Sequence, residues 1–150
     1  MEVGILIHRF LQIWDFKLES IHDTARFVLN EGFIISDSLE KNLIKLGEDF
    51  LHSKFFERIN NADRVEREVP FFMEIDGRPE RRKLDLLIRE GGDLSLFDYK
   101  YKKDNKFKDE VLAQYKSQLD LYANAIEQKF GIPPKEKFLV FLPKVELMRV

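Results

Sequence analysis

Residues 81–103, RRKLDLLIREGGDLSLFDYKYKK, decide how this chain is read. Two apolar runs, about Arg81–Arg89 and Asp93–Tyr101, flank Gly91-Gly92, the pattern of two strands joined by a tight turn. Strand side chains alternate faces, so Asp98 and Lys100 share a side while Phe97 and Tyr99 take the other. Leu94 and Leu96 fall on the Asp98 side, so the second strand is apolar on both faces and reads as central. Asp85 stands among Leu84, Leu86, Leu87 and Ile88, where an unpaired carboxylate is costly. Two acids and a lysine on neighbouring apolar strands suit a divalent cation beside a group that binds phosphate or polarises water. The same residues fit a buried Asp98–Lys100 pair next to a half-exposed Asp85, and the triplet alone leaves both readings open.

Working outward, the upstream segment 64–73, RVEREVPFFM, is β-branched and aromatic, and Pro70 argues for an edge strand or a bulge. Asp76-Gly77 is a hairpin signal. Downstream, a basic loop at 102–108 leads to a helix expected over Asp109–Phe130. Val111, Tyr115, Leu119, Tyr122 and Ile126 form its apolar stripe, with Gln114, Gln118 and Tyr122 along one edge. Gly131 and Pro133-Pro134 end it, and 137–142, KFLVFL, is a short buried strand followed by an edge strand over 145–150. The first 60 residues are helical in pattern: about 3–16, 20–29, and one helix from an N-cap at Ser38 to about Ile59. His8 lies on the flank of the first helix, where a partly buried histidine bonded to a carbonyl is the default reading. His22 and His52 read as surface residues. The expected architecture is α/β, a mixed sheet flanked by helices, within a single domain over 1–150 (helical to 60, sheet core from 61).

Length and composition set limits on function. A chain of 150 residues has room for a real core, here rich in phenylalanine, with fourteen against one tryptophan. The net charge of −2 makes no global case for nucleic acid, so any such case rests on local clusters. Arg78, Arg81, Arg82 and Lys83 form one, and Lys102, Lys103, Lys106 and Lys108 another. Cysteine is absent, which excludes disulfides, thiolate metal sites and cysteine nucleophiles. The first sixteen residues are too short and polar for a membrane span and lack a signal-peptide layout, so a soluble, cytoplasmic protein with no membrane partner is expected. No G-x-x-x-x-G-K-[ST] loop is present, hence no evident ATPase.

Taken in order, Gly4-x-x-x-His8-x-x-Leu11, Asp85, Asp98-Tyr99-Lys100 and Tyr115-x-x-Gln118-Leu-x-x-Tyr122 resemble the PD-(D/E)XK nuclease superfamily. The look is most that of the RecB/AddA-like branch, found at the C-terminal end of bacterial recombination helicase–nucleases. The resemblance implies a restriction-endonuclease-like core behind an N-terminal helical segment. It implies a Mg²⁺- (or Mn²⁺-) dependent deoxyribonuclease, an exonuclease in double-strand-break repair and recombination, partnered by DNA and by a helicase domain or another component of a helicase–nuclease complex. It makes His8, Asp85, Asp98 and the Tyr99 carbonyl metal ligands, Lys100 the catalytic lysine, and Gln118 and Tyr122 its support from the helix. Arg82, Lys102, Lys103 and Gln118 would contact DNA. Glu68 matches a glutamate common on the first strand, and a structural ion pair with a nearby arginine is expected for it. Arg82 stands where the family usually has glycine, a departure that bears on the local backbone path or DNA approach, and Tyr101 where it has Thr or Ser; neither removes a proposed metal ligand. The alternative is a catalytically silent DNA-binding or scaffolding module of the same fold.

Overall fold

A computed structural model describes residues 2–104 and 106–150. Among them the elements run α1 (Val3–Ile13), a 3-10 turn (Leu18–Ser20), α2 (Ile21–Glu31), α3 (Asp37–Leu51) and α4 (Lys54–Asn61). There follow β1 (Arg64–Ile75), β2 (Arg78–Glu90), β3 (Asp93–Tyr101), α5 (Asp109–Phe130), β4 (Glu136–Leu142) and β5 (Glu146–Arg149). The strands lie in the order β1-β2-β3-β4-β5, all neighbours antiparallel except β3 and β4, which are parallel. A parallel pair needs a long connection, and α5 supplies it. The expected α/β class with a mixed, helix-flanked sheet is what the chain adopts.

Both hairpins use two-residue turns with left-handed backbone at each position, Asp76 (φ 52°) with Gly77 (φ 76°) and Gly91 (φ 58°) with Gly92 (φ 91°). That backbone matches the twist of the flanking strands. Pro70 sits on the edge strand β1, as its missing N–H requires. Gly131 ends α5 with φ 81°.

The helical part differs from expectation at three points, the first being that α1 ends at Ile13 and not near Phe16, whose backbone is left-handed (φ 61°). Ser36, not Ser38, caps α3: its extended backbone brings Oγ within 3.2 Å of the Leu39 N–H, while Ser38 already lies in the first turn. The single helix expected to reach Ile59 is two. Ser53 Oγ donates to the Phe50 carbonyl at 2.6 Å and accepts from the Phe56 N–H at 3.1 Å, ending α3 and capping α4. The break lets Phe50 and Phe55 both bury completely, their ring centroids 5.4 Å apart.

Each face of the sheet carries its own core. Phe10, Trp14, Phe50 and Phe55 from the helical part pack against Phe97 and Phe138, and Leu119 and Ile126 of α5 pack against Leu84, Leu96 and Leu139. The period-2 alternation is interrupted once. Leu86 and Ile88 face the helical part, yet Leu84, of the same parity, faces α5; on β1, Val65 and Val69 divide the same way. The change falls at Glu68 and Asp85, the one position in the β1–β2 register that is unpaired, where Glu68 has φ 49°.

Candidate functional site

The candidate side chains gather where β2 and β3 part. Their ladder runs from Glu90↔Asp93 to Leu86↔Phe97 and stops, although β3 stays paired with β4 as far as Tyr101↔Leu142. The next residues in register are Asp85 and Asp98. In place of a main-chain acceptor, the Tyr99 N–H donates to Asp85 Oδ2 at 2.7 Å. Asp85 therefore satisfies a backbone group that the divergence would orphan, which explains how an acid is tolerated among leucines.

Asp98 is buried, with 6 % of its surface exposed. Burial first, and the nearby Asp85 charge second, push its carboxyl up to about 7 against the partial relief of Lys100. Its Oδ2 lies 3.1 Å from Lys100 Nζ as an ion pair, yet is left without an aligned hydrogen bond. Lys100 is held from α5 as well. Its Nζ donates to Gln118 Oε1 at 2.9 Å and stands 4.4 Å from the Tyr115 ring centre.

His8 reaches this site from α1. Its Nδ1 is 3.2 Å from the Gly4 carbonyl and its Nε2 3.7 Å from Asp85 Oδ2. The default carbonyl contact is present and orients the ring so that Nε2 faces Asp85. Asp85 raises the imidazole pKa, opposed by burial. The helix carrying His8 is itself anchored by Arg67 of β1. That guanidinium donates to the carbonyls of Leu11 and Gln12 (both 3.4 Å) and Trp14, and lies 3.6 Å from the Phe16 ring centre.

His8, Asp85, Asp98, Tyr99 and Lys100 thus line one cleft of about 500 Å³, and Gln118 touches it through Lys100. Tyr122 and Arg82 do not line it. They face a neighbouring groove along α5, Tyr122 packed edge-on against Phe71 and Arg82 paired with Glu80 at 2.5 Å. Lys102 and Lys103 point apart, Lys102 toward the Phe107 ring (5.6 Å) and Lys103 into a separate cavity beside α3. Among the described residues Glu68 makes no salt bridge with the nearby arginine expected for it. Its candidate partners are engaged elsewhere, Arg9 with Glu31 (2.7 Å) and Arg67 with carbonyls, and burial with the adjacent Asp85 charge raises its pKa. Sequence reasoning missed two neighbours of the site, Arg9 and Gln12, one and four residues after His8 and available from helical spacing; it named Tyr115 in the helix motif without giving it the contact with Lys100. Arg67 left no such signal.

Among the described residues, no group of three His, Asp or Glu side chains is arranged to enclose a metal ion. The donor set nevertheless fits a hard divalent cation, which takes oxygen ligands, retains waters and needs only one or two carboxylates from the protein. The observation that favours it is the buried Asp98 Oδ2 without a hydrogen bond, in a carboxyl whose burial and acidic neighbour disfavour its charge.

The model of the PD-(D/E)XK nuclease superfamily matches residues 2–148. The chain is similar to an ATP-dependent helicase/nuclease protein of Streptococcus sanguinis (strain SK36), 34% identical over 163 residues covering 99% of this chain and 13% of that protein. Its counterpart in Bacillus cytotoxicus (strain DSM 22905 / CIP 110041 / 391-98 / NVH 391-98) is 30% identical over 166 residues, covering 93% and 13%. The chain thus spans 13% of the length of these relatives. In fold it is similar to a proposed exonuclease from Eubacterium rectale, with a TM-score of 0.62 at 13% identity over 100% of this chain and 59% of that one.

Proposed function

The chain belongs to the PD-(D/E)XK nuclease superfamily, and from that premise we propose that it is the metal-dependent nuclease domain of a DNA helicase–nuclease, spanning residues 1–150. The reaction is hydrolysis of DNA phosphodiesters, as an exonuclease in double-strand-break repair. The helicase partner is inferred from the names of the relatives.

The observation that carries this reading is the parting of β2 and β3 at Asp85 and Asp98, with Lys100 3.1 Å from the second acid. Asp85, Asp98, the Tyr99 carbonyl and His8 Nε2 would hold Mg²⁺ or Mn²⁺. When bound, such an ion polarises the phosphate and lowers the pKa of attached water. The chain's own groups supply the rest. Lys100, fixed by Asp98, Gln118 and Tyr115 before substrate arrives, presents N–H donors to the oxygens on which charge develops, and orients the attacking water. Gln118 positions Lys100 and does not itself react. His8, oriented through Gly4, presents Nε2 to the acids from the opposite wall. Tyr122 and Arg82 act on DNA from the adjoining groove, and Lys102 and Lys103 on phosphates beyond the end of β3.

The test is cleavage of linear DNA with Mg²⁺ or Mn²⁺ by the wild type and by Asp98→Ala and Lys100→Ala. Loss in both variants, with melting curves showing a folded protein, supports the site. Undiminished cleavage by both removes it.

A further inference from the structure

A second cavity, of about 370 Å³, adjoins the cleft, and of its lining only Lys103 enters the reading above. The two share Tyr101, and α1 divides them: Gly4, Ile5 and His8 line the cleft, Val3 and Ile7 the cavity. Tyr101 packs closely under the first turn of α1, where a Cβ on Gly4 would lie 3.2 Å from its ring. Glycine at this point lets the ring form a wall between the two spaces.

The chemistry of the cavity is divided. Ile7, Leu46, Pro143 and Tyr101 make an apolar, partly aromatic floor, and Lys45, Lys103 and Lys144 stand at the rim. Lys45 is neutralised by Asp49 at 2.6 Å, whereas Lys103 and Lys144 are exposed and lie in no ion pair among the described residues. An aromatic surface below and free ammonium groups above is the pairing that holds an unpaired nucleotide, base stacked and phosphate neutralised. The volume lies within the range of small-ligand sites. Position agrees with chemistry, since Tyr101, although on the opposite face of β3 from Lys100, lines both the cavity and the cleft that contains Lys100.

We infer that this cavity is a nucleotide subsite. It takes the base of an unpaired nucleotide next to the phosphate held at Lys100, stacked on Tyr101, with Lys103 and Lys144 on the adjoining backbone. The inference rests on the nuclease reading of the cleft and adds that the substrate is single-stranded beside the cut. It gives a use to Tyr101, the residue that departs from the family's Thr or Ser.

The test is binding of labelled hexathymidylate by fluorescence anisotropy in EDTA, so that no strand is cut, using oligonucleotides with one abasic position moved along the chain. The expected result is that one abasic position weakens binding about tenfold. Tyr101→Thr weakens the intact oligonucleotide by a similar factor and the abasic one no further. The double variant Lys103→Glu/Lys144→Glu, altering two exposed side chains, also weakens the intact oligonucleotide about tenfold, and it carries the test if Tyr101→Thr fails to fold. A flat abasic scan, or unchanged binding by the folded variants, overturns the subsite. If Mg²⁺-dependent cleavage persists under that result, the nuclease reading stands without the subsite. If the abasic pattern appears but no metal supports cleavage, the subsite stands and the nuclease reading falls.

Discussion

The backbone N–H of Tyr99 donates to Asp85 Oδ2 at 2.7 Å, across the point where β2 and β3 cease to pair. One carboxylate thereby does two jobs, terminating a sheet ladder and facing a cleft.

Substitutions at Asp85 separate those jobs. Asp85→Asn keeps an acceptor for Tyr99 while removing the charge, so stability holds within about 1 kcal/mol while Mn²⁺ binding is lost. Asp85→Ala orphans the N–H and costs a further ~1–3 kcal/mol. Urea denaturation and calorimetry with Mn²⁺ read the two effects, and equal stability of the two variants would contradict the double role.

Lys100 and Gln118 are expected to differ in kind. Lys100→Ala should lower the cleavage rate by roughly 10²–10⁴-fold, the range for a positioned group acting on a proton or developing charge. Gln118→Ala leaves the lysine in place but loosens it, and should cost about tenfold in kcat with little change in Mn²⁺ affinity. Single-turnover kinetics distinguish these. A Gln118→Ala loss as large as that of Lys100→Ala would mean that the glutamine acts directly.

Asp98 couples stability to pH in the metal-free protein. Its carboxyl, near 3.8 when unfolded, is pushed up to about 7 in the fold. The folded state therefore binds the proton more tightly, and stability present below pH 4 is lost as pH rises toward 7. His8, also raised, acts in the same direction, its contribution lost as pH climbs through its folded pKa. Asp98→Asn should remove most of this slope and stabilise the metal-free protein at pH 8 by an amount on the order of 3 kcal/mol. Denaturation at pH 4, 6 and 8 checks it, and an unchanged slope in the variant would place the coupling elsewhere.

Ser53 is the inexpensive point of failure in the helical part. Ser53→Ala removes the cap of α4 and the bond to the Phe50 carbonyl, with an expected cost of ~1–2 kcal/mol. Ser38→Ala, at the position that only looked like a cap, should change stability by less than about 0.5 kcal/mol. A thermal melt of the two variants makes the comparison.

Much of this was legible locally. Turn chemistry at Asp76-Gly77 and Gly91-Gly92 marks both hairpins because few residues accept left-handed backbone. α5 keeps its expected bounds because Gly131 and the prolines act on the residues beside them. The Asp98-Tyr99-Lys100 alternation sets the two charged groups on one side through strand geometry alone. The break at Ser53 was not legible, since the apolar spacing of Phe50 and Phe55 also suits an unbroken helix, and only their joint burial against the sheet decides it.

The sequence by itself determined the strands and their turns, α5, the α/β class and the candidate groups, because propensity, turn chemistry and periodicity act over a few residues. The tertiary structure alone decided what those groups do together. The side-chain alternation changes at Glu68 and Asp85 through contacts between strands. Arg67 finds its carbonyls 53 residues away at Trp14, and His8 meets Asp85 because that anchor and the buried apolar face of α1 lay the helix against the sheet. Such contacts are set by packing of distant segments, and no local pattern records them.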